Sequence, residues 1–207
     1  AFLPVWATAA VSSGRSLYQR GFMQQARGLK TLAIISVAIL WLSDGIAAEQ
    51  QDVCLKQVFG RYCLGGSVDQ ALDPGHPPQF EQVDGERRAL VFQEGPEQVY
   101  VIAFRDRVYK VVRRYRAASQ LRFDDLYGLL SKKYGAGEDQ SRFPPYASTP
   151  SRRLGSIRRG DGRAVHVWAP EDGWRIELAW TREMGLTLTY VATALDAEQE
   201  TAVERGF

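Results

Sequence analysis

Residues 164–194 read AVHVWAPEDGWRIELAWTREMGLTLTYVATA, and the alternation within them decides the fold. Side chains of an extended chain point to opposite faces in turn, so Trp174, Ile176, Leu178 and Trp180 share one side. Arg175, Glu177, Ala179 and Thr181 share the other. One face is therefore core and the other meets solvent, as in an antiparallel sheet covered on one side. Turn-forming residues punctuate the stretch at Pro170-Glu171-Asp172-Gly173 and Arg182-Glu183-Met184-Gly185, with a further turn at Arg159-Gly160-Asp161-Gly162. The expected C-terminal meander thus runs through strands at Leu154–Arg158, Ala164–Ala169, Trp174–Thr181 and Leu186–Ala194.

Upstream, Arg88–Phe92, Gln98–Phe104 and Val108–Tyr115 also read as strands, the last two joined across Arg105-Asp106-Arg107 as a hairpin. The alternation in Val108–Tyr115 is imperfect, which predicts partial cover on both faces. The period then changes: Phe123, Leu126, Leu130 and Tyr134 are spaced for one face of a helix, with Ser119 as its N-cap and Gly135 just past its end. A shorter helix is predicted after Ser67, ended by Pro74 and Gly75. Residues 73–88, rich in Pro and Gly, read as a surface connection. Gly135–Arg153 reads as a long mobile or binding loop. No internal repeat is evident. The expected fold is α+β, an antiparallel sheet with one longer and one short helix packed on it.

The N-terminal part has a different character. Gly28–Ala48 has Arg27 and Lys30 just before or within it, then the apolar run TLAIISVAILWL at 31–42, then small residues at Gly45-Ile46-Ala47-Ala48, the three parts of a secretory signal peptide. The apolar run is shorter than the ~20 residues a membrane-spanning helix needs. The expected organisation is an upstream extension over 1–22 ahead of the gene's start at Met23, and a signal peptide over 23–48. A single exported domain follows over 49–195, and from Asp196 to residue 207 a polar tail, frayed or weakly helical. The expected location is periplasmic or secreted, with no stable membrane span after cleavage. A lipid anchor is excluded because Cys54 follows no small-residue lipobox.

The whole chain of 207 residues carries a formal charge of +2. Four of its 26 basic side chains, but only one of its 24 acids, precede residue 49, so the exported part is close to neutral. No global field then favours nucleic acid. Lysine is scarce and asparagine absent, so the abundance of arginine reflects codon usage before it reflects function.

Two cysteines occur, Cys54 and Cys63, and in an oxidising compartment they are expected to form a disulfide. Their spacing fits neither a CxxC redox motif nor CxxCH haem attachment. The two histidines, His76 and His166, lie far apart, so no metal site and no cofactor are expected. No serine-nucleophile elbow, SxxK, HExxH or phosphate-binding glycine loop is present. Asp124 and Asp125 fall where acids favour the start of a helix. Two readings of function remain. The first is a non-enzymatic binding module of the bacterial envelope, touching another envelope protein or an anionic envelope ligand through Arg152, Arg153, Arg158 and Arg159, which cluster with Arg163 beside the long loop. The alternative is an exported hydrolase acting through His166 and a carboxylate brought near by folding.

The order of glycine turn, short helix and strands, with the hairpin VIAFRDRVYKVV at 101–112, resembles the small α+β periplasmic domains of the BamE/SmpA and β-lactamase-inhibitor-protein type. Across Leu64–Tyr115 that resemblance implies one or two helices against an antiparallel sheet, and binding of proteins in place of catalysis. It carries no functional residue across, and the lipobox cysteine of the BamE type is missing.

Overall fold

The computed structural model describes residues 54–171 and 173–205. The leader, its cleavage position and the tail residues after Arg205 lie outside the described residues.

The chain opens with a small hairpin, β1 (Lys56–Val58) and β2 (Tyr62–Leu64), tied by the disulfide Cys54–Cys63. A short 3-10 turn at Val68–Ala71 follows, with the Ser67 hydroxyl accepting from the Asp69 N–H as the sequence predicts. Eight strands then build one sheet: β3 (Phe80–Asp84), β4 (Arg87–Glu94), β5 (Glu97–Phe104), β6 (Arg107–Tyr115), β7 (Glu138–Asp139), β8 (Ala164–Glu171), β9 (Trp174–Thr181) and β10 (Gly185–Ala192). Their spatial order is β3-β4-β5-β6-β10-β9-β8-β7, and every pair is antiparallel. Three helices complete the α+β fold: α1 (Gln120–Tyr134), α2 (Pro150–Arg159) and α3 (Thr193–Arg205).

The order of strands contains a repeat that the sequence hides. β3–β6 and β7–β10 are each a four-stranded meander, and the last strands of the two, β6 and β10, pair antiparallel in the middle. That is the arrangement a twofold axis through the sheet centre would produce. A helical element precedes each meander, the 3-10 turn before β3 and α1 before β7.

Register shows which face is core. Leu90, Val101, Val111, Tyr190, Ile176 and Trp168 form one rung across six strands. Trp174, Leu178, Trp180, Leu186 and Leu188 extend the same face, and all five are buried. Phe123, Leu126 and Leu130 of α1 join this cluster, as do Val58, Tyr62 and Leu64 of the hairpin. Each such side chain removed from water contributes about 1.5–3 kcal/mol, so this layer supplies most of the stability. Burial pushes the Tyr190 phenol up to about 12. The Tyr62 phenol is raised too, by burial and by donating to Glu94. Glu94 also takes Arg113, whose guanidinium lies 3.9 Å above the Phe59 ring, so the hairpin is fastened to β4 and β6 by charge as well as contact.

The imperfect alternation of β6 has a specific cause. Ile102 faces Lys110 while Ala103 faces Val108, which leaves Tyr109 as the extra residue of a bulge and lets Val108 and Tyr109 both be buried. The hairpin turn before it places Arg105 and Asp106 at φ of 49° and 60°. Both central residues in the left-handed region make the turn whose twist suits two-residue hairpins.

Three sequence expectations are corrected. Leu154–Arg158 is not a strand but part of α2. The connection over 73–88 contains the edge strand β3, all of whose residues are exposed, so it lacks the apolar alternation that marks a strand. The long loop after Gly135 supplies β7 and the start of α2, and buries Ala147. The tail from Asp196 continues α3, in which Leu195 and Asp196 are buried. The α1 prediction is matched in its Ser119 cap and Gly135 end.

Candidate functional site

α2 is helical because its ends are specified and its middle is small. Thr149 accepts from the Arg152 N–H, Pro150 occupies the first turn where its missing N–H costs nothing, and Gly160 ends the helix at φ 88°. Ser156 is fully buried and donates to the Arg153 carbonyl at 2.7 Å. Gly162 passes directly over it, since a Cβ there would stand 2.2 Å from the Ser156 hydroxyl. Ile157 anchors the helix in the main core cluster. A strand pattern and a one-turn helix pattern coincide over Leu154–Ile157, and the caps on either side decide between them.

This correction draws the four arginines together. Arg152, Arg153, Arg158 and Arg159 are all exposed on one ten-residue helix that contains no acid. Two of them are held in place. Arg159 bonds the Tyr146 hydroxyl at 3.0 Å and pairs with Asp161 at 3.4 Å, while Tyr146 also bonds Asp161. These bonds, first that from Tyr146 and then the pull of Arg159, lower the Asp161 carboxyl below its ordinary value. Arg153 lies 5.0 Å over the Phe143 ring and donates to the Ala147 carbonyl. Arg152 reaches the Tyr146 carbonyl at 3.5 Å, and Arg158 has no partner among the described residues.

Sequence reasoning named Arg163 beside these four and missed two further arginines of the same surface, Arg142 and Arg182. Arg182 donates to the Arg159 carbonyl, and Arg142 and Arg163 exchange backbone hydrogen bonds next to the end of α2. Among the described residues, Asp161 is the one acid that forms an ion pair with any of these seven. The residues come from three separate stretches, so only the fold could assemble them.

His166 lies elsewhere. It stands on β8, half-buried, with the Tyr127 ring 4.6 Å away and Phe123 and Trp168 close by. Burial lowers its pKa, against a smaller opposing effect of Asp139. Asp139 is its cross-strand partner, so folding does bring a carboxylate near. That carboxylate, however, accepts from Ser141, which holds it below its ordinary pKa, and the buried Nδ1 of His166 has no hydrogen-bond partner. The His166 ring packs against Phe123 and Tyr127 of α1 and Trp168 of the sheet.

A second charged cluster was also illegible in sequence. Asp196, its side chain only 6% exposed, takes Arg175 at 2.7 Å and Lys110 at 3.3 Å. The three come from α3, β9 and β6, and no local spacing connects them. Among the described residues no group of three or more His, Cys, Asp or Glu could hold a metal ion, and no helix is long and apolar enough to cross a membrane.

The fold and site therefore define an α+β protein of two antiparallel meanders with an arginine-rich helix at one end. No protein-family model matches the chain, and no curated protein or solved structure matches it.

Proposed function

We propose that the protein is an exported module of the bacterial envelope that works by binding, and that α2 is its contact surface. The observation that carries this reading is the exposed helix with four arginines and no acid. Guanidinium groups present planar forks that match carboxylates, and they are enriched at protein interfaces. Tyr146, Asp161 and Phe143 hold Arg159 and Arg153 before any partner arrives, which reduces the conformational entropy lost on binding. The partner in this reading is another envelope protein that presents carboxylates. The resemblance to small periplasmic domains that bind proteins belongs to the same proposal.

Export is supported by the leader pattern and by the disulfide, which persists in oxidising compartments. Intact mass of the protein from its host is expected to begin at Ala48 or Glu49. A mass retaining Thr31–Leu42 would contradict export. For the contact surface, the test is recovery of partners from envelope extract by the full chain and by a variant with Arg152, Arg153, Arg158 and Arg159 all changed to Ala. Exposed ion pairs contribute about 0.2–1 kcal/mol each, so losing four should weaken binding by about 2 kcal/mol, some thirtyfold. Undiminished recovery of every partner would remove α2 from the account.

A further inference from the structure

α3 lies over a second cationic surface, the rung of Lys110 and Arg175, and its first turn also reaches the main core through Leu195. Val191 shares that rung with Lys110 and Arg175. Asp196, in the first turn of α3, is buried against Lys110 and Arg175, so two cations meet one carboxylate. The rest of the helix continues the match. Arg105 is held charged first by Glu86 and also by Glu198 of α3. The Tyr109 phenol is raised by burial, and further by Asp196 and Glu200. α3 carries Asp196, Glu198, Glu200 and Glu204 against the single base Arg205.

The buried part of the helix is its first turn. The Thr193 N–H donates to the Gly173 carbonyl where the helix leaves β10. Leu195 and Asp196 are its buried residues, and only Ala202 beyond them packs against the core. Among the described residues, Asp196 makes all the ion pairs of the helix. An acidic helix thus covers a basic site chiefly through Leu195 and Asp196, with Ala202 as its one further core contact.

We propose that α3 is a displaceable strap that occupies, within its own chain, a site for an acidic helix of a partner protein. The site recognises a Leu-Asp pair like Leu195-Asp196: an apolar slot for the first and the Lys110–Arg175 pair for the second. A small residue one to two turns further on faces the sheet, as Ala202 does. A partner helix gains access only when the strap lifts, so its apparent affinity is divided by the fraction of molecules with α3 released. The surface is separate from α2, and partner binding at either one can be lost without the other.

The test uses the full chain and a fluorescent peptide of residues 193–205, TALDAEQETAVER. The wild type keeps the site filled and is expected to bind the peptide weakly. Asp196→Asn removes the carboxylate that holds the strap, and is expected to bind the peptide at least tenfold more tightly. Adding Lys110→Glu and Arg175→Glu should abolish that gain. A peptide carrying the same Asp196→Asn change should not bind. Equal binding by wild type and the Asp196→Asn chain overturns the proposal, as does an Asp196→Asn chain that binds phosphatidylglycerol vesicles and not the peptide. Hydrogen exchange on the wild type keeps the idea testable if the variant does not fold. Amides of 197–205 should exchange at least a hundredfold faster than those of β6 and β10, and equal protection would overturn it.

Discussion

Replacing Gly137 by alanine should destabilise the protein, and the sign of that effect is informative. Gly137 does not need a left-handed backbone, so on conformational grounds alone alanine would stabilise by about 0.4–1 kcal/mol through the unfolded chain. Its surroundings predict the reverse. A Cβ at Gly137 would stand 2.5 Å from Cε2 and 2.6 Å from Cζ2 of Trp168. The indole cannot swing aside, because its N–H donates to the Gly135 carbonyl at 2.9 Å and its ring is hemmed in by Tyr127 and His166. Overpacking of this kind costs about 1–3 kcal/mol, which at this size lowers the melting temperature by about 2–4 °C per kcal/mol. Urea denaturation followed by tryptophan fluorescence measures it. Trp168→Leu should relieve the clash, so the double variant should be more stable than the sum of the two single changes allows. Unchanged or raised stability in Gly137→Ala would refute the close passage of the 135–137 segment over β8.

Three further outcomes are expected. Changing Cys54 and Cys63 together to serine should cost about 2–3 kcal/mol in urea unfolding, the chain-entropy value for so short a loop. His166 has its pKa lowered by burial, so the unfolded chain binds its proton more readily than the folded one. Its contribution is complete above the unfolded value of about 6.5 and shrinks as pH falls towards the folded value. His166→Gln should flatten that part of the stability profile, and an unchanged acid limb would contradict it. Tyr190 is raised to about 12, so its contribution is present below about pH 10 and lost as pH rises towards 12. Its ionisation, read by ultraviolet absorbance, should appear only as the protein unfolds.

The fold class was legible because both meanders carry long alternating strands and α1 has caps at each end. β9 shows why: Trp174 to Trp180 alternate over a wholly buried row, and burial on one face forces that pattern. β3 was invisible for the opposite reason. As an exposed edge strand with Glu81 and Asp84 salt-bridged to Arg88 and Arg87, it buries nothing and so shows no pattern. α2 was misread because the four residues from Leu154 to Ile157 suit either period. Thr149 and Pro150 ahead of them were the overlooked signal, a cap followed by a first-turn proline. The candidate site was legible in its residue names and not in its form. Arg163 could be named with the four of α2, whereas Arg142 and Arg182 join them only through sheet pairing and the turn after β9. Asp196 reads in the sequence only as the start of a polar tail, and its two cations come from strands 86 and 21 residues earlier, a distance no sequence rule spans.

The central claim is that α2 is the surface through which this protein binds another. Its most direct test is a photocrosslinking residue placed at position 158, whose arginine has no partner of its own among the described residues, in the full chain within its native host. A second set of cells carries the crosslinker at the exposed Leu129 on α1. The account predicts a discrete protein adduct from position 158 that disappears when Arg152, Arg153 and Arg159 are changed to Ala, and none from position 129. Adducts from position 129 alone, or adducts from 158 that survive loss of the arginines, would contradict it.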